Sequence, residues 1–108
     1  MRHLESKIQI EIVKYIRYLY PKSLLFAVPN GGQRSIITAA NLKREGVLAG
    51  VSDLIWLNEG RTYFFEVKTD KGYQSVNQKE FQSLVEKQHF RYTILRSTKD
   101  FDNFLKLI

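Results

Sequence analysis

The chain has 108 residues, a length that fits one domain spanning 1–108 and leaves no room for a second. Hydrophobic residues make up 44% of it, enough to build a core and to exclude disorder, and the absence of cysteine excludes disulfides and thiolate metal sites. Seventeen Lys and Arg against eleven Asp and Glu give a formal net charge of +6, with a pI near 9.7, which points to a polyanionic partner and to nucleic acid first.

Leu4, Ile8, Ile12, Ile16 and Leu19 recur at spacings of three and four and predict a helix over 4–20, stopped by Tyr20-Pro21. Leu24 to Val28 reads as a short buried strand, and Pro29-Asn30-Gly31-Gly32-Gln33-Arg34 as a turn or loop. A short helix is expected over 36–45, closed by Gly46, with a flexible connection from Gly46 to Gly50. Val51 to Leu57 and Arg61 to Lys68 read as two strands joined at Asn58-Glu59-Gly60, a hairpin. Thr69 to Gln74 is a polar loop. Ser75 to Gln88 is a helix that opens with the capping-box pair Ser75 and Gln78. Arg91 to Arg96 is a strand, and Ser97 starts a last helix carrying Phe101, Phe104, Leu105 and Ile108. The order α-β-α-β-β-α-β-α predicts an α/β fold, a central mixed sheet flanked by helices on both faces.

The hairpin concentrates the chemistry. Alternation along Arg61 to Lys68 sends Tyr63, Phe65 and Val67 to one side, and Glu66 and Lys68 to the other. Asp53 lies on the partner strand, where the turn can bring it beside Glu66. Two carboxylates and an ammonium group around one point can hold a hard cation and act on a phosphodiester. A salt bridge at a strand end would leave the same residues side by side, so the pattern alone leaves both readings open. With His3 and His89 as the only histidines, a metal here would be held mainly by oxygen, which favours Mg²⁺ or Mn²⁺. Lys68 is expected at an exposed strand end.

Ser52-Asp53 followed by Glu66-Val67-Lys68 resembles the PD-(D/E)XK nuclease signature. Glu5-Ser6-Lys7-Ile8-Gln9, the segment Pro29 to Arg34, Gly46 to Gly50 before Asp53, and Gln78 after Lys68 resemble the virus-type replication-repair nuclease domain, VRR-NUC. The resemblance runs from about residue 4 to the C-terminus. It implies a restriction-endonuclease-like core and a metal-dependent deoxyribonuclease using Mg²⁺ or Mn²⁺. By that resemblance Asp53 and Glu66 are the main metal ligands, joined by the backbone carbonyl of Val67. Glu5 reaches in from the first helix to the metal, directly or through water. Lys68 is the catalytic lysine, and Gln78 sits beside the site; a helix cap through Ser75 is its other, compatible role. Ser52 stands where the family usually has proline, and Gln88-His89 where it often has glycine. Neither change touches the chemistry.

By analogy with small relatives such as the Holliday-junction resolvases, the expectation is an endonuclease on structured or branched DNA, acting as a homodimer in DNA repair. The alternative is a nucleic-acid-binding module with a degenerate, non-catalytic site, and cleavage of RNA is a third reading. Asn30, Gly31, Gly32 and Arg34 are candidates for a phosphate contact, against a plain strand-to-helix turn. Lys43, Arg44, Lys71 and Lys79 flank the site as candidate phosphate contacts or as ordinary solvated lysines and arginine. Tyr73 is a candidate for stacking on a base, against packing over its loop. Tyr15, Tyr18 and Tyr20 read as core or interface residues, and His89 as a helix-end residue. The apolar runs are too short to span a membrane, and Met-Arg-His-Leu-Glu is no secretory signal, so the expected setting is the cytoplasm of a bacterium or of a phage-infected cell.

Overall fold

A computed structural model describes residues 2–29 and 35–108. Along them run α1 (Arg2–Leu19), β1 (Leu24–Ala27), α2 (Ile36–Arg44), β2 (Leu54–Asn58), β3 (Arg61–Val67), α3 (Val76–Lys87), β4 (Arg91–Leu95) and α4 (Thr98–Leu105). The order is the expected one. The strands lie side by side as β1-β2-β3-β4, antiparallel except for the parallel pair β3 and β4. A parallel pair needs a crossover longer than a tight turn, and α3 supplies it.

The β2–β3 turn sets the register. Glu59 and Gly60 both have positive φ, 51° and 78°, and Asn58 faces Arg61 across the turn. This is the signature of a two-residue type I′ hairpin, whose twist matches that of the strands. Leu54 then lies opposite Phe65, and Trp56 opposite Tyr63. Alternation sends Leu54, Trp56, Tyr63, Phe65 and Val67 to one face, and Ile55, Phe64 and Glu66 to the other.

The first face carries the larger core, closed by Ile12 and Ile16 of α1 and by Phe101 and Phe104 of α4. Trp56 is its centre, edge-on to Tyr20 at 5.2 Å and to Phe101 at 5.4 Å. Its indole N–H donates to Ser23 Oγ at 2.8 Å, so the buried donor is satisfied. The Tyr15 hydroxyl donates to Asp102 at 2.6 Å and ties α1 to α4. The second face is covered over β3 and β4 by α3, whose Phe81 and Val85 pack on Tyr92 with Val51, Phe64 and Ile94.

Three expectations change. β1, expected to be buried, buries only Leu25. β2 begins at Leu54 and not at Val51. Gly50, at φ +81°, is pressed against the first turn of α3, so the chain joins the sheet only after leaving that contact. In α1 the ends of the apolar stripe, Leu4 and Leu19, are exposed, as is Tyr18. A helix of 18 residues is about 27 Å long and overhangs strands of four to seven residues. Tyr15 and Tyr20 pack on the core as expected. Gly46, at φ +104°, closes α2 as expected, yet no side chain of α2 is fully buried. No described helix is long and apolar enough to cross a membrane.

Candidate active site

The two acidic groups meet because the hairpin register, carried one step beyond Leu54 and Phe65, sets Asp53 opposite Glu66. Asp53 is fixed at both its main chain and its side chain. Its carbonyl accepts the N–H of Val28 at 2.9 Å, just past the end of β1. Its Oδ2 accepts the N–H of Val67 at 2.7 Å, which draws the carboxylate across to β3 beside Glu66. The expected pairing of these two residues on one side of the sheet is what the fold produces.

Glu66 is only 1% exposed. Its Oε2 accepts from Gln78 Nε2 at 2.9 Å and lies 3.9 Å from Lys68 Nζ. Its Oε1 is buried, and no donor among the described residues reaches it in hydrogen-bond geometry. The Gln78 amide cannot be turned round without loss, because its oxygen accepts the Ser75 N–H at 2.9 Å. Gln78 is thus both the second half of the capping box and a donor into the site. Burial pushes the Glu66 carboxyl up to about 9. The neighbouring Asp53 adds to the rise, Lys68 opposes it, and the charge of Glu5 adds a smaller part. At neutral pH Glu66 therefore holds its proton.

Lys68 is not at an exposed strand end: it is 8% exposed. Its N–H donates to the Leu95 carbonyl at 3.1 Å and carries the parallel ladder one residue past β3. Beyond it the chain turns at once, with the Gly72 N–H on the Thr69 carbonyl at 3.1 Å.

Tyr92 belongs to this neighbourhood and was not legible as such in the sequence. Its hydroxyl accepts from Gln74 Nε2 at 3.3 Å, and Gln74 also donates to Gln82 Oε1 at 2.8 Å. Burial raises the Tyr92 phenol above its usual range, and the charge of Glu66 raises it further. The one available signal is alternation within Arg91 to Leu95, and it becomes informative only when β4 is known to pair with β3, where Tyr92 faces Phe64 and Ile94 faces Glu66.

The donors here fit a hard divalent cation. Two facing carboxyl groups, one with a buried oxygen that no described donor satisfies, stand beside the backbone of Val67, and all are oxygen ligands. Among the described residues no three His, Asp or Glu side chains gather to hold an ion between them, so the side-chain set is the pair Asp53 and Glu66. Glu5, half-buried on α1, is linked to that pair through its charge on Glu66. Lys43 lines a cleft of about 900 Å³ with Leu42, Gly50 and the first turn of α3. Lys71 and Tyr73 are exposed on the loop after Lys68. Asn30, Gly31, Gly32 and Arg34 lie outside the described residues.

A four-stranded mixed sheet has helices on both faces, and an acid pair with a lysine stands at the open end of its central hairpin: the protein is of the α/β class. By sequence no family model and no curated protein matches the chain. Solved structures do. One described as a VRR_NUC domain protein superposes with a TM-score of 0.70 at 20% identity, over 95% of this chain and 85% of that one. Another, described as a VRR_NUC domain, gives 0.63 at 19% identity, over 88% and 90%. The chain has the VRR-NUC fold, as its motifs led one to expect.

Proposed function

We propose that this protein is a divalent-metal-dependent nuclease that hydrolyses DNA phosphodiester bonds, with Asp53, Glu66 and Lys68 at its centre. The observation that carries the reading is the burial of Glu66, 1% exposed, beside the Asp53 carboxyl group, with an Oε1 that no donor among the described residues reaches in hydrogen-bond geometry. An ion pair serving stability alone gives no reason to bury a carboxyl oxygen without a partner, which costs about 1–3 kcal/mol. A cation supplies that partner.

In this reading Asp53 and Glu66, with the Val67 carbonyl, hold Mg²⁺ or Mn²⁺. The ion supplies charge neutralisation at the scissile phosphate and makes the attacking water more acidic. The protein residues divide the remaining work. The Val67 N–H holds Asp53 Oδ2, and Gln78 holds Glu66 Oε2, so one oxygen of each carboxylate is left for the ion. Glu66 would hold the ion as the ionised carboxylate, with its proton lost to solvent. Lys68 Nζ donates to the phosphate oxygens as charge builds on the pentacovalent state. The water oxygen bonds to phosphorus as the ester P–O bond breaks; the attacking water gives one proton to solvent, and the leaving oxygen takes one from solvent. Glu5 supports the site from α1. The net charge of +6, with Lys43, Lys71 and Tyr73 nearby, supports nucleic acid as the substrate.

Endonuclease action on structured DNA by a homodimer, in repair within a bacterial or phage-infected cell, is the fuller form of the proposal. Support for pairing of two copies comes from the half of the second face that α3 leaves bare, where Leu24, Phe26 and Leu57 are exposed. The test is cleavage of nicked, flap, four-way and linear DNA with Mn²⁺. Cleavage that stops on chelation and in Lys68→Met is expected. Absence of metal-dependent cleavage of all four sinks the enzyme and leaves a binding module.

A further inference from the structure

Residues 69–74 form a strap between Lys68 and the N-cap of α3, and three side chains from outside it tie it down. Arg96, just past β4, places Nη1 on the carbonyls of Thr69 at 2.5 Å and Gly72 at 2.7 Å, with that of Asp70 at 3.4 Å. On the other side Gln74 is held by Gln82 and by the Tyr92 hydroxyl. Tyr73 lies between these anchors and is 84% exposed. An aromatic ring on a loose loop is free to fold back on apolar surface. Here both neighbouring residues are fixed, so the ring is presented outward with little ordering left to lose on contact.

The surroundings say what the ring is presented to. Lys71 and Lys79 are exposed, Val76 is 72% exposed, and no acidic residue occurs from 71 to 79. The strap also leads directly from Lys68, and its Gln74 Nε2 donates to the hydroxyl of Tyr92 on β4, the strand paired with the one that carries Glu66. An aromatic flanked by lysines at the edge of a phosphodiester site matches a single nucleic-acid strand, in which bases offer a free face and phosphates a charge.

We propose that Tyr73 is a stacking platform for an unpaired nucleobase of the strand engaged at the Asp53–Glu66 site. The proposal rests on the nucleic-acid side of the reading above and narrows the substrate to one with a single-stranded or frayed segment. A base inside a duplex has both faces covered by its neighbours and gives such a ring nothing to stack on. Lys71 and Lys79 take phosphates on either side and position the strand without reading it.

The test compares two labelled strands of equal charge by fluorescence anisotropy in EDTA, where no cleavage interferes. One is an oligothymidylate of about twelve nucleotides, the other an abasic strand of the same length. The wild-type protein is expected to hold the base-bearing strand about tenfold more tightly. Tyr73→Ala, whose fold is safe because the ring is exposed, is expected to bind both strands alike; Tyr73→Phe is expected to keep the preference. Lys71→Ala is expected to weaken both strands equally. No preference in the wild type, no binding of either strand, or a preference that survives Tyr73→Ala overturns the proposal. The Mn²⁺ cleavage assay is scored separately: cleavage without base preference removes the platform and keeps the nuclease, and base preference without cleavage does the reverse.

Discussion

Asp53 reaches over the hairpin to accept the backbone N–H of Val67 at 2.7 Å, so the residue proposed to bind a cation also staples β2 to β3. The two roles separate by mutation. Asp53→Asn keeps an oxygen for the Val67 N–H and removes the charge, so Mn²⁺ binding by calorimetry is expected to vanish with the unfolding midpoint nearly unchanged. Asp53→Ala loses both, and is expected to cost a further ~2 kcal/mol in denaturant unfolding, the worth of a hydrogen bond to a charged group.

The raised Glu66 carboxyl makes the metal-free protein sensitive to pH. Between its ordinary value of 4.5 and about 9 the folded chain holds a proton that the unfolded chain has released. The stabilisation from this group is complete below 4.5 and is lost as pH rises through about 9. The unfolding midpoint in EDTA is expected to fall across that window, and Glu66→Gln to flatten the fall. Because a cation takes the ionised carboxylate, binding at pH 7 is expected to release about one proton per ion. Calorimetry in two buffers of different ionisation heat measures this, and no release would remove Glu66 from the ligand set.

Lys68 is buried beside Glu66, which changes how it must be tested. Lys68→Ala opens a gap under the strap and is expected to cost ~2 kcal/mol of stability as well as activity. Lys68→Met keeps the stem and removes only the ammonium. It is expected to lower the cleavage rate by at least ~10²-fold with an unfolding midpoint no lower than wild type. Near-normal cleavage by Lys68→Met would take the ammonium out of the reaction.

Gly50 and Gly46 both have positive φ, yet they are not equivalent. A Cβ at Gly46 would meet nothing, whereas at Gly50 it would lie 2.3 Å from the Asn77 carbonyl, next to Gln78. Gly46→Ala is expected to cost about 1 kcal/mol, the left-handed penalty alone. Gly50→Ala is expected to cost at least about twice that and to weaken Mn²⁺ binding too, since it displaces the turn that carries Gln78. Equal losses at the two positions would show that the contact with α3 does not matter to the site.

His89 occupies a left-handed position, φ 68°, just after α3. His89→Gly is expected to raise stability by about 1 kcal/mol, read as a higher denaturant midpoint, with cleavage unaffected.

How far the sequence went depended on how local each cause was. The hairpin was legible because Glu59-Gly60, the alternation of Tyr63, Phe65 and Val67, and the positions of Asp53 and Glu66 all lie within one stretch of chain. The capping box was legible for the same reason. The burial of Lys68 was not, because it depends on the Leu95 carbonyl and on Arg96, contributed by the far side of a parallel crossover. Arg96 itself resembles any arginine at a strand end until the strap is seen beneath it. Leu4 and Leu19 have the right spacing for a buried stripe, but spacing does not reveal where the sheet ends below the helix.

The type I′ turn has a practical corollary. Each strand of the hairpin runs five or more residues from Glu59-Gly60 to the acid pair, which puts the tip roughly 20 Å from Asp53 and Glu66. A loop or small module grafted between Glu59 and Gly60 would leave the alternation below it intact. One residue added within β3 instead would swing Glu66 to the opposite side and erase the site. The hairpin tip is therefore the natural attachment point for new targeting parts on this scaffold.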